Sequence, residues 1–272
     1  MVTFQVATLN VAGLPSPLAP LPDRATEFCR LIEASDIDVV NFQEVWTRRH
    51  LRVLTARLPS FPFVARRTGA AGQPAGGLAT FSRVPVRSVA YTSFGFIWPR
   101  AGRPAFRLTR AVNSRLQGVL VVELALALSA AVVANVHLTA NKDGDWSAGN
   151  RYHAFQRAQL DVLHRVLRRV RAAATGPVIV GGDLNVSSRS PLYPHITDGG
   201  AWHDPFAGTD AGTFHAELLP PDRRSSGRAA RLDYLLVSPE PAVEASLLFA
   251  EPVALGFLSD HLGLLARILL ER

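Results

Sequence analysis

A chain of 272 residues with 48% hydrophobic and 19% charged residues has the composition of a globular protein and enough apolar material for a sizeable core. One cysteine, Cys29, excludes an internal disulfide framework, and its apolar helical surroundings suit a small buried thiol better than a nucleophile. The net charge of +7 and pI near 10.6 favour a polyanionic partner or an anionic surface, yet the pairs Arg48-Arg49, Arg66-Arg67, Arg168-Arg169 and Arg223-Arg224 are scattered and compose no obvious nucleic-acid stripe.

No stretch reads as a transmembrane helix: the longest nearly apolar run, 118–136, is interrupted by Glu123 and Asn135 and by a turn at Ser129-Ala130. The first residues enter a strand pattern directly, so a cytoplasmic protein is expected, or a secreted one if a leader has been removed. Length alone admits two small domains or one large one.

Phe4 to Val11 reads as a strand, Arg24 to Ala34 as a helix, and Val39 to Phe42 as a short apolar strand that delivers Gln43-Glu44. Arg48 to Leu58 is helical, with Pro59 as its stop. Three strands follow at Phe63 to Arg66, Leu78 to Ser82 and Val86 to Thr92, joined by Gly- and Pro-rich turns. Phe94 to Arg107 reads either as a packed hairpin or as an exposed apolar and cationic edge. The scheme then repeats: strands Val119 to Ala125 and Ala131 to His137, a long helix Arg151 to Ala173, and a strand Val178 to Gly182. Strands around Tyr234 to Val237, Ala245 to Phe249 and Leu262 to Leu269 complete the chain. With no Ser/Gly linker and no low-complexity tract, 1–272 reads as a single α/β domain in which two sheets pack together under outer helices.

Chemistry concentrates where apolar strands run out. Val178-Ile179-Val180 leads through two glycines to Asp183 and Asn185, which share a face if the chain stays extended. His137 ends the run Val132 to Val136, and Glu44 follows a buried strand, where its carboxylate requires a cation or an arginine. Asn10 lies near the end of the first strand and is also a natural cap for the following turn. Asp233 stands beside an apolar strand and is a candidate to orient an imidazole. Asp260 and His261 precede the final strand and reach one site only if Ser259 to His261 is a loop. Taken singly, each has a plainer reading as turn former, ion-pair partner or structural histidine. Together, carboxylates, amides and two imidazoles without a cysteine point to a hard divalent cation of the Mg²⁺ type, with Mn²⁺ as a substitute, and to phosphate ester hydrolysis.

Leu9-Asn10, Gln43-Glu44, Asn135-Val136-His137-Leu138, Gly182-Asp183-Leu184-Asn185, Leu232-Asp233-Tyr234 and Ser259-Asp260-His261, in this order, resemble the endonuclease/exonuclease/phosphatase superfamily over nearly the whole chain. The resemblance implies a deoxyribonuclease-like four-layer α/β/β/α sandwich of two packed mixed sheets, with the site at one open end. It implies Asn10, Glu44 and Asp260 as the metal positions and His261 as general base with Asp233 to orient it. Asp183 would position the attacking water or assist the leaving group, and Asn185 and His137 would bind the phosphate.

Asn10-Val11-Ala12-Gly13-Leu14-Pro15 and Gln43-Glu44-Val45-Trp46 are similar to the neutral sphingomyelinase branch, as is Arg115-Leu116-Gln117-Gly118-Val119-Leu120 apart from a lysine that is unmatched. A monomeric phosphodiesterase acting on a phospholipid headgroup such as sphingomyelin is therefore expected, with peripheral membrane contact through Phe94-Trp98. Two alternatives stand beside it: an endonuclease or DNA-repair phosphodiesterase, consistent with the high pI, and an inactive binding module, which would be expected to lack a metal or base position where none is missing.

Overall fold

The computed structural model describes residues 2–13, 21–126, 130–209, 211–214, 229–238, 242–253 and 256–270. Six strands form one mixed sheet: β1 (Val2–Asn10), β2 (Val39–Gln43), β3 (Phe63–Ala65), β4 (Ala79–Ser82), β10 (Val243–Leu248) and β11 (Gly263–Leu270), in the order β10-β11-β1-β2-β4-β3. Five form the other, in simple sequence order: β5 (Val86–Ser93), β6 (Gly118–Ala125), β7 (Ala130–His137), β8 (Val178–Asp183) and β9 (Asp233–Ser238). Helices α1 (Leu21–Glu33) and α2 (Arg48–Arg57) pack on the first sheet, and α4 (His153–Ala173) on the second.

The alternation of side chains along each strand builds this layering. In β1, Phe4 and Val6 enter a central core with Leu120, Val122, Val133, Ile179 and Leu235 of the other sheet. Ala7 and Leu9 point the opposite way, toward Phe28 and Ile32 of α1 and Leu54 of α2. On the far side, Leu160, Leu163 and Leu167 of α4 recur at helical spacing and cover Val136, Val180 and Leu236. Two packed mixed sheets between outer helices are the four-layer arrangement implied by the sequence.

Polar side chains stitch the two sheets together inside this core. Gln43 donates to Thr8 Oγ1 at 3.0 Å and to Asn135 Oδ1 at 2.8 Å, while Asn135 donates to the carbonyls of Phe42 and Ala79. Buried amide N–H groups paired in this way fix the register of one sheet on the other, because any slip would leave several of them unpaired.

The element boundaries follow the sequence reading to within a few residues, with one exception. Phe94 to Arg107 is not a hairpin. Phe94 is buried in the second outer core, Phe96 and Trp98 are exposed, and an unanticipated helix α3 (Pro104–Leu116) begins at a proline suited to a first turn. Its periodicity misleads because the pattern is inverted: Arg110 and Ser114 face inward while Leu108, Val112 and Leu116 face solvent. A shorter helix, α5 (Tyr193–Ile196), and the start of α1 three residues ahead of Arg24 are minor differences. The turn read at Ser129-Ala130 lies partly outside the described residues, and the Arg223-Arg224 pair wholly so.

Candidate active site

Strand direction gathers the candidate residues at one end of the sandwich. β1 runs parallel to β2, and β7 runs parallel to β8, so Asn10, Gln43, His137 and Asp183 all stand at carboxyl ends. β9 and β11 run antiparallel to their neighbours, which brings Asp233 and the loop before Gly263 to the same end. Register does the rest: His137 lies opposite Asp183, and Asp183 opposite Asp233. Ser259 to His261 is indeed a loop, which frees the adjacent Asp260 and His261 from the alternation of a strand.

Asp183 and Asn185 converge, but not by extension. The strand ends at Asp183 and Asn185 adopts a left-handed φ of 52°, so the backbone curls back: Asn185 N and Nδ2 donate to Asp183 Oδ1 and Oδ2 at 2.8 and 3.0 Å. The carbonyl of Asn185 is clamped by Trp146 Nε1 at 3.0 Å and Gln156 Nε2 at 2.8 Å, which hold this unusual conformation in place. Gly182 supplies the close approach, since a Cβ there would lie 1.9 Å from the carbonyl oxygen of Val136.

The buried heart of the site is a cluster of His261, Asp233, Asp183 and His137. His261 Nδ1 stands 2.8 Å from Asp233 Oδ2, an interaction that directs Nε2 toward Asp183 Oδ2 at 3.8 Å; His137 Nε2 approaches the same oxygen at 3.6 Å. Burial alone would lower the His261 pKa, but the charges of Asp233 and Asp183, the hydrogen bond to Asp233 and the charge of Asp260 outweigh it and raise it well above the usual imidazole value. Burial dominates at His137 and holds it below that value, despite Asp183. Asp183 is pushed up to about 6 by burial and by Asp233, against the opposing pull of the two histidines. Their surroundings thus shift the two imidazoles in opposite directions, a pattern common at functional sites.

Beside this cluster, Glu44 adopts φ 63° just past β2 and meets Asn10 Nδ2 at 3.4 Å; the same amide donates to Asp183 Oδ2 at 3.0 Å. Asn10 also accepts from the Ala12 N–H at 3.0 Å, so it caps its turn and joins the site at once. Burial raises the Glu44 pKa, and the charge of Asp260 raises it further. Arg24 donates to the carbonyls of Val11, Ala12 and Leu258, and its charge acts on both Glu44 and Asp260. Two carboxylates and an amide form an oxygen-donor set that fits a hard divalent cation, which would relieve the penalty on a charged Glu44. Asp183, Asp233 and His261 also bring one donor atom each to within 4.8 Å of one another, but Asp233 Oδ2 and His261 Nδ1 already pair with each other.

Glu44, Asp260, His137, Asp183, Asn185 and His261 line one cavity of about 1070 Å³, and Asp233 and Asn10 are hydrogen-bonded to two of those residues, His261 and Asp183. Among the other residues that line it are Lys142, Trp146, Arg189 and Phe214, to which the sequence analysis assigns no part in the site. Lys142 is the chain's single lysine and Trp146 a lone aromatic in a polar loop, both visible signals. Phe214, whose ring centroid is 5.1 Å from that of His261, has no local signature.

This geometry agrees with comparisons to known proteins. No curated protein sequence matches. Among solved structures, the chain is similar to a truncated TDP2 of Caenorhabditis elegans, with a TM-score of 0.72, 19% identity and 98% of each chain covered. It is similar to a Staphylococcus aureus beta toxin, with a TM-score of 0.75, 16% identity, and 97% of this chain and 99% of that one covered. It is similar also to a D. rerio TDP2 complexed with single-strand DNA product, with a TM-score of 0.70, 17% identity, and 98% and 99% covered. The profile of the Endonuclease/Exonuclease/phosphatase family matches residues 7–261, so the chain belongs to that family and is a metal-dependent phosphodiesterase.

Proposed function

We propose that this phosphodiesterase cleaves the headgroup phosphodiester of a phospholipid such as sphingomyelin, with Mg²⁺ held by Glu44, Asp260 and Asn10. The observation that carries the hydrolytic reading is the His261–Asp233 contact of 2.8 Å at the wall of a cavity that Glu44 and Asp260 also line. His261 Nε2 takes a proton from water, and Asp233 holds the opposite nitrogen in its protonated tautomer and stabilises the imidazolium that results. Asp183 orients that water or the leaving oxygen, and Asn185 and His137 hold the phosphate oxygens. The bound cation supplies charge neutralisation at the phosphate and the departing oxygen.

The lipid reading is supported by the Asn10 to Pro15 and Gln43 to Trp46 sequence motifs, Leu14 and Pro15 lying outside the described residues, and by the exposure of Phe96 and Trp98. A nucleic-acid substrate is the second reading, favoured by the net charge of +7. Rates on detergent-dispersed sphingomyelin, phosphatidylcholine and plasmid DNA, each with Mg²⁺ and with chelator, separate the two. Chelator-sensitive release of phosphocholine is expected; chelator-sensitive nicking of DNA without it overturns the lipid reading.

A further inference from the structure

Six of the seven large hydrophobic side chains exposed in the described residues come from one short segment: Val89, Phe96, Trp98, Leu108, Val112 and Leu116, each between 40% and 62% exposed. The last three stand four residues apart on one face of α3, and so form a continuous aliphatic row along the outside of the helix. An apolar row directed at water is the reverse of what a helix resting on a core presents, and such a patch marks a contact surface.

The charge around it is equally one-sided. Residues 45–122 contain thirteen arginines and no aspartate or glutamate. Ten of those arginines are exposed, among them Arg100, Arg103, Arg107 and Arg115, which flank the row. Arg107 Nε donates to the carbonyl of Pro99 at 2.9 Å and so ties the loop carrying Trp98 to the first turn of the helix.

We propose that α3 and the loop before it form a docking face for an anionic lipid bilayer, an inference that rests on the phospholipid reading for its purpose and names the surface on which that substrate is met. A helix with an apolar face and flanking basic residues lies in the plane of a lipid interface, its aliphatic side chains among the acyl chains and its arginines at the anionic headgroups. Two copies of this face would oppose arginine to arginine, which disfavours self-association. A nucleic acid would use the arginines but leave the aliphatic row wet, since Leu and Val cannot stack on bases. No helix among the described residues is long and apolar enough to cross a membrane, in keeping with a peripheral contact.

The position of the face links it to catalysis. Phe106 meets Tyr152 edge-on at 5.1 Å with Arg151 4.4 Å above its ring, at the start of α4. At the other end of α3, Gln117 and Thr139 share a short hydrogen bond, two residues beyond His137. Between those two anchors runs the loop whose Asn141, Lys142 and Trp146 line the catalytic cavity. A bilayer under α3 would therefore lie against the rim of the cavity.

Vesicle co-sedimentation without divalent cation reads the docking apart from turnover. The wild-type protein should bind vesicles of phosphatidylcholine with phosphatidylglycerol and bind pure phosphatidylcholine at least about tenfold more weakly. The combined variant Leu108→Gln, Val112→Gln, Leu116→Gln should lose most of that binding, and Arg100→Gln with Arg103→Gln should weaken it on the order of tenfold. Both should cleave detergent-dispersed substrate at the wild-type rate. Wild-type protein that hydrolyses dispersed phospholipid but ignores anionic vesicles overturns the docking face and leaves the substrate assignment standing. Vesicle binding without phospholipid hydrolysis does the opposite. A dimer in light scattering that the Gln substitutions dissociate, or DNA affinity that they abolish, would overturn the lipid occupant.

Discussion

Nδ1 of His261 and Oδ2 of Asp233 lie 2.8 Å apart, although Asp233 opens β9 of one sheet and His261 stands in the loop before β11 of the other, 28 positions further along the chain. The contact fixes which imidazole nitrogen is open to the cavity, and it is the main favourable charge against the cost of burying that imidazole. Replacement His261→Ala should lower kcat by about 10²–10⁴-fold with an unchanged far-UV circular dichroism spectrum. Full activity in that variant would remove His261 from the chemistry.

Asp233→Asn tests the same contact by pH. The carboxylate raises the His261 pKa, so its loss should move the ascending limb of the pH–rate profile to lower pH while lowering the plateau. Stability should follow the same linkage. A histidine whose folded pKa exceeds its unfolded value stabilises the fold fully below about pH 6.5 and ceases to do so as pH rises through the folded value. The Tm deficit of Asp233→Asn should therefore be largest in mild acid and shrink in alkali. A deficit independent of pH would assign Asp233 a packing role only.

Gly13 explains part of the spacing that follows Asn10. A Cβ at this position would sit 1.8 Å from the carbonyl oxygen of Glu44 and 2.9 Å from its carbonyl carbon, both backbone atoms that cannot swing aside. Gly13→Ala must therefore displace Glu44 from Asp260 and Asn10. A support residue for a metal site typically costs about 10–100-fold in metal affinity when lost, and a rise of that size in the Mg²⁺ concentration for half-maximal activity is expected. Unaltered Mg²⁺ dependence would mean that Glu44 does not hold the ion.

The legible parts of this protein were those with an uninterrupted physical signal. β7 and β8 are buried along their whole length, so they appear as continuous apolar runs, and a polar residue at the end of such a run, His137 or Asp183, is conspicuous. The loop containing Asp260 and His261 could be inferred from the need for adjacent side chains to reach one site. α3 was not legible because its apolar residues face solvent, which defeats a rule that equates apolar periodicity with burial. Phe214 escapes the sequence for another reason: it reaches the cavity through a tertiary contact, to the His261 ring, that no local spacing encodes.

Cys29 is 1% exposed on the inner face of α1, and burial pushes its thiol up to about 12. The thiolate is the reactive form, so almost none is present near neutrality. The folded protein should resist a thiol-reactive disulfide reagent at pH 8 for as long as it stays folded, and should react in full once unfolded by urea. Rapid modification of native protein with loss of activity would give this residue a role that its surroundings do not explain.

The buried pair Arg231–Asp204 anchors the segment that leads into β9, two residues before Asp233. It is bidentate, with Nη1 and Nη2 donating to the two carboxylate oxygens at 3.1 and 2.7 Å, and Tyr193 adds a hydroxyl donor at 2.8 Å. Both charged side chains are at most 3% exposed, and the guanidinium also lies 4.6 Å above the Tyr234 ring. Asp204→Ala would strand the arginine charge in this interior, and breaking a buried pair on one side costs about 3–5 kcal/mol. Urea denaturation should register a loss of that order. The double variant Asp204→Leu, Arg231→Leu should recover much of it, since it leaves no unpaired charge. A single variant as stable as the wild type would mean that water reaches the arginine, and the close packing around β9 would then be wrong.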